Sequence, residues 1–84
     1  MPRYHLVISA RFHRDTRRLD TKTHRRVLTA LKTLEDNPYQ GAKLSNVEIG
    51  QWRIRVGDYR IRYDIERDQV FLYRVRHRRD IYRK

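Results

Sequence analysis

Eighty-four residues, no cysteine and a formal charge of +11 exclude a disulfide framework, a thiolate nucleophile and a Cys-based zinc site, and they leave room for one unit with one modest core. Seventeen of the 21 cations are arginine, and both halves of the chain share the excess, so no basic tail explains it. Arginine's planar fork suits bidentate phosphate contacts, which makes an anionic partner the first expectation. The stretch "YHLVIS", residues 4–9, predicts a strand, with Ser9 as N-cap of a following helix. In that helix Phe12, Thr16 and Leu19 share one face, while Arg11, Arg14, Arg17 and Arg18 turn mostly outward. After Asp20 and Thr21, the stripe Val27, Leu28, Leu31 and Leu34, with Ala30 between, predicts a second amphipathic helix that ends at Asn37 and Pro38. So short a link predicts an antiparallel helical hairpin.

Residues 39–51, "YQGAKLSNVEIGQ", show no long period and fit a loop with room for a short edge strand. From residue 52 onward the pattern is β. Trp52, Ile54 and Val56 alternate with Arg53 and Arg55, and Tyr59, Ile61, Tyr63 and Ile65 alternate with Arg60, Arg62, Asp64 and Glu66. Gly57-Asp58 fits a two-residue hairpin turn, "ERD" over 66–68 the next turn, and "QVFLYRVRH" the last strand. The expected fold is α+β: one domain over 1–84, order β-α-α-β-β-β, an antiparallel sheet with the N-terminal helical hairpin packed on one face. The N-terminus lacks the apolar run of a signal peptide, and nothing approaches the roughly 18 apolar residues of a membrane span, so the cytoplasm is the expected location. His5, His13, His24 and His77 stand too far apart to resemble a metal-binding pair or finger, and metal-free, cofactor-free chemistry is expected.

With residues 57 and 58 as the loop, Val56 faces Tyr59, Arg55 faces Arg60, Ile54 faces Ile61, Arg53 faces Arg62 and Trp52 faces Tyr63. Every apolar pair then shares one face and every arginine the other. Like charges directly opposite cost up to about 1 kcal/mol per pair, so local stability does not account for the pattern. A polyanion laid across the sheet turns that repulsion into attraction and releases counterions. The competing reading is a solvated face on which Asp58, Asp64 or Glu66 compensate the arginines. Of Tyr39, Tyr59, Tyr63, Tyr73 and Tyr82, most sit in core phase, which makes them core residues before they are stacking platforms.

"YRVRHRRDIYRK", residues 73–84, repeats the arginine pattern more densely and places Tyr82 two residues from the last. With "WRIRVGDYRIRYDI" in the middle and "VRHRRDIY" at the end, the whole chain resembles the RelE toxins of bacterial and archaeal toxin–antitoxin pairs. The resemblance implies a small endoribonuclease that cuts messenger RNA in the ribosomal A site and is restrained by a cognate antitoxin. Operator DNA would be contacted only through that antitoxin. It also implies metal-independent attack of the ribose 2′-OH on the adjacent phosphate, leaving a 2′,3′-cyclic phosphate and a 5′-OH. Carried over by position, Arg60 and Arg78 stabilise the charge gained by the phosphate, Arg53 and Arg55 hold the scissile phosphate and its flanks, and the terminal aromatic is Tyr82; Arg62 and Arg76 are also expected to bind substrate. The best-known family member has lysines where this chain has Arg53 and Arg55. Arginine does not deprotonate in a protein, so the base must lie elsewhere, at Tyr82 or His77. Two other readings stand beside this one: the related ParE branch, which inhibits DNA gyrase by binding, and an RNA- or ribosome-binding module without chemistry.

Overall fold

The computed structural model describes residues 3–81. β1 (His5–Ile8) ends at Ser9, whose hydroxyl accepts the Phe12 amide at 3.1 Å and donates to the Tyr73 carbonyl at 3.0 Å. One side chain thus caps α1 (Ala10–Arg17) and fixes it to the far end of the sequence. Asp20 caps α2 (Thr21–Asp36) by accepting the Thr23 amide at 2.8 Å, and its hydrogen bonds with Thr23, side chain and then backbone, hold its carboxyl below the usual value. Asn37 ends α2 and starts a turn of 3-10 helix (Pro38–Gln40). The chain continues through β2 (Ala42–Lys43), β3 (Trp52–Val56), β4 (Tyr59–Glu66), β5 (Gln69–His77) and a final short helix, α3 (Arg78–Ile81).

The architecture is α+β, as the sequence pattern predicts, but the sheet is mixed where a wholly antiparallel one was expected. Its strand order is β1-β5-β4-β3-β2, and β1 runs parallel to β5. Parallel neighbours need a long crossover, and here everything from α1 to β4 supplies it. No local signal marks such a pairing. The β3–β4 register agrees with the expected one at all five pairs, from Val56↔Tyr59 to Trp52↔Tyr63. Gly57 at φ +60° makes the turn between them, a conformation that glycine adopts without the penalty of a Cβ.

Between β4 and β5 the register shifts once. Arg62 pairs with Arg74 and Tyr63 with Leu72, which leaves Tyr73 as an extra residue on β5. Such a bulge exchanges the faces of the strand. Val70 and Leu72 point toward the helices before it, and Val75, in register with Ile61, does so after it. Phe12 of α1 and Val27, Leu31 and Leu34 of α2 meet these residues, with Val56, Ile61 and Tyr63, in one buried cluster. Leu28 was expected on the same stripe, but it is 47% exposed: Val27, Leu31 and Leu34 already fill the contact face, and position 28 lies beside it. Tyr63 is fully buried. Its hydroxyl donates to the Pro38 carbonyl at 2.7 Å, and burial pushes its pKa up to about 12 against a smaller opposing pull from the Gly41 amide.

Candidate nucleic-acid interface

Strand alternation puts the apolar residues of β3, β4 and β5 against the helices and their neighbours on the opposite, outer face. Cross-strand partners share a face, so the pairings build two rows of three arginines there. One row is Arg53–Arg62–Arg74, and the other, nearer the Gly57 turn, is Arg55–Arg60–Arg76.

The two rows differ in what holds them. Arg62 donates from Nε to the Gly50 carbonyl at 2.6 Å and from Nη2 to the Ile49 carbonyl at 3.2 Å. Asp64 accepts the Gly50 and Gln51 amides at 2.7 and 2.8 Å, so loop 44–51 is pinned to β4 from both sides. Gly50, at φ +68°, lets the loop approach: a Cβ there would press on Tyr73 and on the Arg62 side chain. Arg74 makes a bidentate pair with Asp15 of α1, at 2.8 and 3.1 Å, and the same carboxylate takes the Val75 amide at 3.0 Å. That amide lies on the stretch of β5 that β1 no longer covers, so Asp15 closes an open sheet edge. Hydrogen bonding to Asp15 raises the Arg74 pKa further, and the pair is a structural tie.

In the other row, Arg60 is 8% exposed, a buried cation among the described residues. α3 begins beside it, and the Arg78 amide donates to the Asp58 carbonyl at 2.7 Å, which ties the start of α3 to the β3–β4 turn. The result is a pocket of about 290 Å³ lined by Arg55, Gly57, Asp58, Arg60 and Arg78. Arg76 flanks it and donates from Nη2 to the Asp80 carbonyl at 3.3 Å. Among the described residues, Arg53, Arg55 and Arg78 have no carboxylate within ion-pair distance. The acids proposed to compensate the row are engaged otherwise or lie apart: Asp64 serves the loop, and Asp58 lines the pocket without pairing to Arg55 or Arg78.

Of the residues singled out from sequence, Arg55, Arg60 and Arg78 therefore come together. Arg53 and Arg76 lie on the same face beside them. Arg62 is also there, but its guanidinium is committed to loop carbonyls rather than open to a substrate. His77 is on the other face: it pairs with Tyr59, their rings meet edge-on at 5.1 Å, and its Nδ1 accepts the Arg79 amide at 3.0 Å. Tyr82 lies outside the described residues. Sequence reasoning did not find Asp15, which has no local signature because its partners are 59 and 60 residues away. It also did not find the role of the Asp58 carbonyl, a backbone group. Among the described residues no cluster of three or more His, Cys, Asp or Glu is arranged to hold a metal ion, and no helix is long and apolar enough to cross a membrane.

Arg55, Arg60 and Arg78 line one cavity of about 290 Å³, and arginines so placed can hold a phosphodiester by charge-assisted hydrogen bonds and stabilise added negative charge on it; none of them can accept a proton. Residues 6–82 match the model of the ParE toxin of type II toxin–antitoxin systems, and the chain belongs to that family. A chain of the RelBE2 toxin–antitoxin complex from Mycobacterium tuberculosis superposes with a TM-score of 0.78 at 27% identity, over 92% of this chain and 93% of that one. The archaeal RelE–RelB complex from Pyrococcus horikoshii OT3 gives 0.78 at 23% identity over 93% and 97%, and the RelB–RelE complex from Methanococcus jannaschii gives 0.75 at 23% over 90% and 94%; these two show a shared fold. A comparison with curated protein sequences gives no match.

Proposed function

We propose that this toxin is a ribosome-dependent endoribonuclease that cuts messenger RNA in the ribosomal A site and is neutralised by a cognate antitoxin. The observation that carries the reading is the convergence of Arg55, Arg60 and Arg78 on one pocket of about 290 Å³. In the proposed reaction the substrate 2′-oxygen forms a bond to phosphorus as the bond from phosphorus to the 5′-oxygen breaks. The 2′-proton passes to a base, the leaving 5′-oxygen gains a proton, and the products are a 2′,3′-cyclic phosphate and a 5′-OH. Arg60 and Arg78 stabilise the dianionic phosphorane, while Arg53, Arg55 and Arg76 hold the backbone on either side. With His77 turned to the other face, the base is assigned to Tyr82, which lies outside the described residues and stands in sequence between Arg79 and Arg83. The antitoxin is proposed because the superposed structures are toxin–antitoxin complexes; operator DNA is reached only through it. Residues 1–84 act as a single toxin domain in the cytoplasm.

The family match favours one second reading, gyrase inhibition by binding, as in the ParE branch. Induction in cells followed by 5′-end mapping of messages separates the two. Cuts in phase with codons on translated RNA, lost in Arg78→Ala and Tyr82→Phe, support the nuclease. Intact messages with inhibited DNA supercoiling support the inhibitor and overturn it.

A further inference from the structure

α1 lies along the part of β5 that β1 leaves uncovered, and it does so next to the outer face. Arg11 Nη1 donates to the Tyr73 hydroxyl at 3.5 Å, Asp15 holds Arg74 and the Val75 amide, and Arg18 shares with Arg74, Arg76 and His77 the wall of a cavity of about 210 Å³. Arg11, Arg14 and Arg18 fall at i, i+3 and i+7, so they form one stripe along the helix, and all three are exposed. Arg14 and Arg18 are like charges four residues apart, an arrangement that destabilises a short helix. Asp15 is the sole acid from residue 10 to 19, and it is committed to β5. The place of Arg14 in the last turn and of Arg18 at the C-cap offsets that cost, so the stripe is a solvent-facing cationic surface, and it borders the sheet rows where Arg18 and Arg76 line the same cavity.

We propose that Arg11, Arg14 and Arg18 form a second RNA-binding track, one that engages the phosphate backbone of base-paired RNA beside the strand held on the sheet. The inference rests on the sheet face being an RNA site, and it extends that site around the edge of β5. The ligand class follows from what the stripe lacks. Single-stranded RNA is held largely by stacking on aromatic rings, whereas α1 itself carries His13 and Arg17 among these arginines and no exposed Phe, Tyr or Trp, and Tyr73 of β5 meets Arg11 through its hydroxyl. Base-paired RNA offers its phosphates and 2′-hydroxyls at regular spacing and needs no stacking. An acidic protein segment is the competing partner, and a poly-glutamate peptide is the arm of the test that separates it from RNA.

The test is binding of a 16-base-pair RNA duplex, of a 12-nucleotide single strand and of a poly-glutamate peptide by wild type and by the triple variant R11Q/R14Q/R18Q, each over a range of salt. Wild type is expected to bind the duplex. The triple variant should bind it at least about tenfold more weakly near 0.1 M salt, with the slope of log K against log salt reduced by about 2 to 3, one unit per lost phosphate contact. Single-strand binding should change only a few-fold. Equal duplex affinity and slope for the two proteins overturns the inference, as does a loss confined to a poly-glutamate peptide. If the triple variant does not melt like wild type, Arg14→Glu replaces it, since Arg14 makes no hydrogen bond or ion pair with a described residue. Duplex binding through α1 without any cleavage of translated message sinks the nuclease reading alone. Cleavage with duplex binding indifferent to α1 sinks this inference alone.

Discussion

The two arginine rows of the outer face come from one alternating pattern, lie on the same three strands and are one β-step apart, yet the structure uses them differently. Two of the three arginines in Arg53–Arg62–Arg74 are tied to other parts of the chain, Arg62 to loop carbonyls and Arg74 to a carboxylate. In Arg55–Arg60–Arg76 the exposed Arg55 pairs with no described carboxylate, and Arg55 and Arg60 open with Arg78 into a pocket. The lesson is that a repeated residue type on a sheet marks a face, and only the partners of each copy separate scaffold from site. Substitutions at Arg55 and Arg76 should therefore move activity, and substitutions at Arg62 and Arg74 stability.

The largest effect is expected from Arg55→Ala. Cleavage should fall by about 10²-fold, the cost of losing one charge-assisted hydrogen bond to the bound phosphate backbone, while the unfolding free energy stays within about 0.5 kcal/mol of wild type because Arg55 is exposed. Single-turnover cleavage on programmed ribosomes, with a denaturation curve on the same preparation, checks both halves. A large loss of stability with unchanged cleavage would show the rows to be assigned the wrong way round.

Asp15→Ala comes next and acts the opposite way. It leaves the Arg74 guanidinium, 27% exposed, and the Val75 amide without their partner, which should cost about 2 to 4 kcal/mol. Cleavage per folded molecule should change less than threefold. A double-mutant cycle with Arg74→Met should give a coupling of about 1 to 3 kcal/mol; additivity would mean that the pair contributes nothing beyond its separate contacts. Arg62→Ala is milder, at about 1 to 2 kcal/mol for two charge-assisted bonds to carbonyls. Its signature is local: the Gly50 and Gln51 amides should exchange faster with solvent while the strand core keeps its protection.

Much of this division was legible in the sequence, and the part that was not has a physical reason. The β3–β4 register followed from Trp52, Ile54 and Val56 against Tyr59, Ile61 and Tyr63, because a one-residue slip would turn every apolar side chain outward. The parity of β5 was also written there: Val70 and Leu72 against Val75 is an apolar pattern that changes phase, which is the mark of a bulge. With the bulge at Tyr73, His77 takes the phase of Val75 and leaves the arginine face. The ties of the Arg53–Arg62–Arg74 row were not readable, since Arg62 is held by backbone carbonyls and Arg74 by a residue brought in by the fold. The parallel placement of β1 was hidden for the same reason: only the completed sheet offers the edge it fills.

The two hairpin turns carry the comparison to its smallest expected effect. At the pocket end of the hairpins Gly57 sits at φ +60°, which glycine adopts without penalty; a Cβ there would also meet the end of the flexible Arg26 side chain at 2.9 Å, which can swing aside. At the other end, between β4 and β5, Arg67 occupies the same left-handed region at φ +57° with a full side chain. That conformation costs a non-glycine residue roughly 1 to 2 kcal/mol, while glycine's greater freedom in the unfolded chain takes back about 0.5 to 1. Arg67→Gly should therefore stabilise the protein by about 0.5 kcal/mol, visible as a rise of a few degrees in Tm. Since Glu66↔Gln69 and Tyr59↔His77 are opposite ends of the β4–β5 pairing, cleavage should be unaffected. A fall in cleavage would mean that the cation at position 67 belongs to the RNA path, and the boundary between scaffold and site would have to be redrawn around both ends of the sheet.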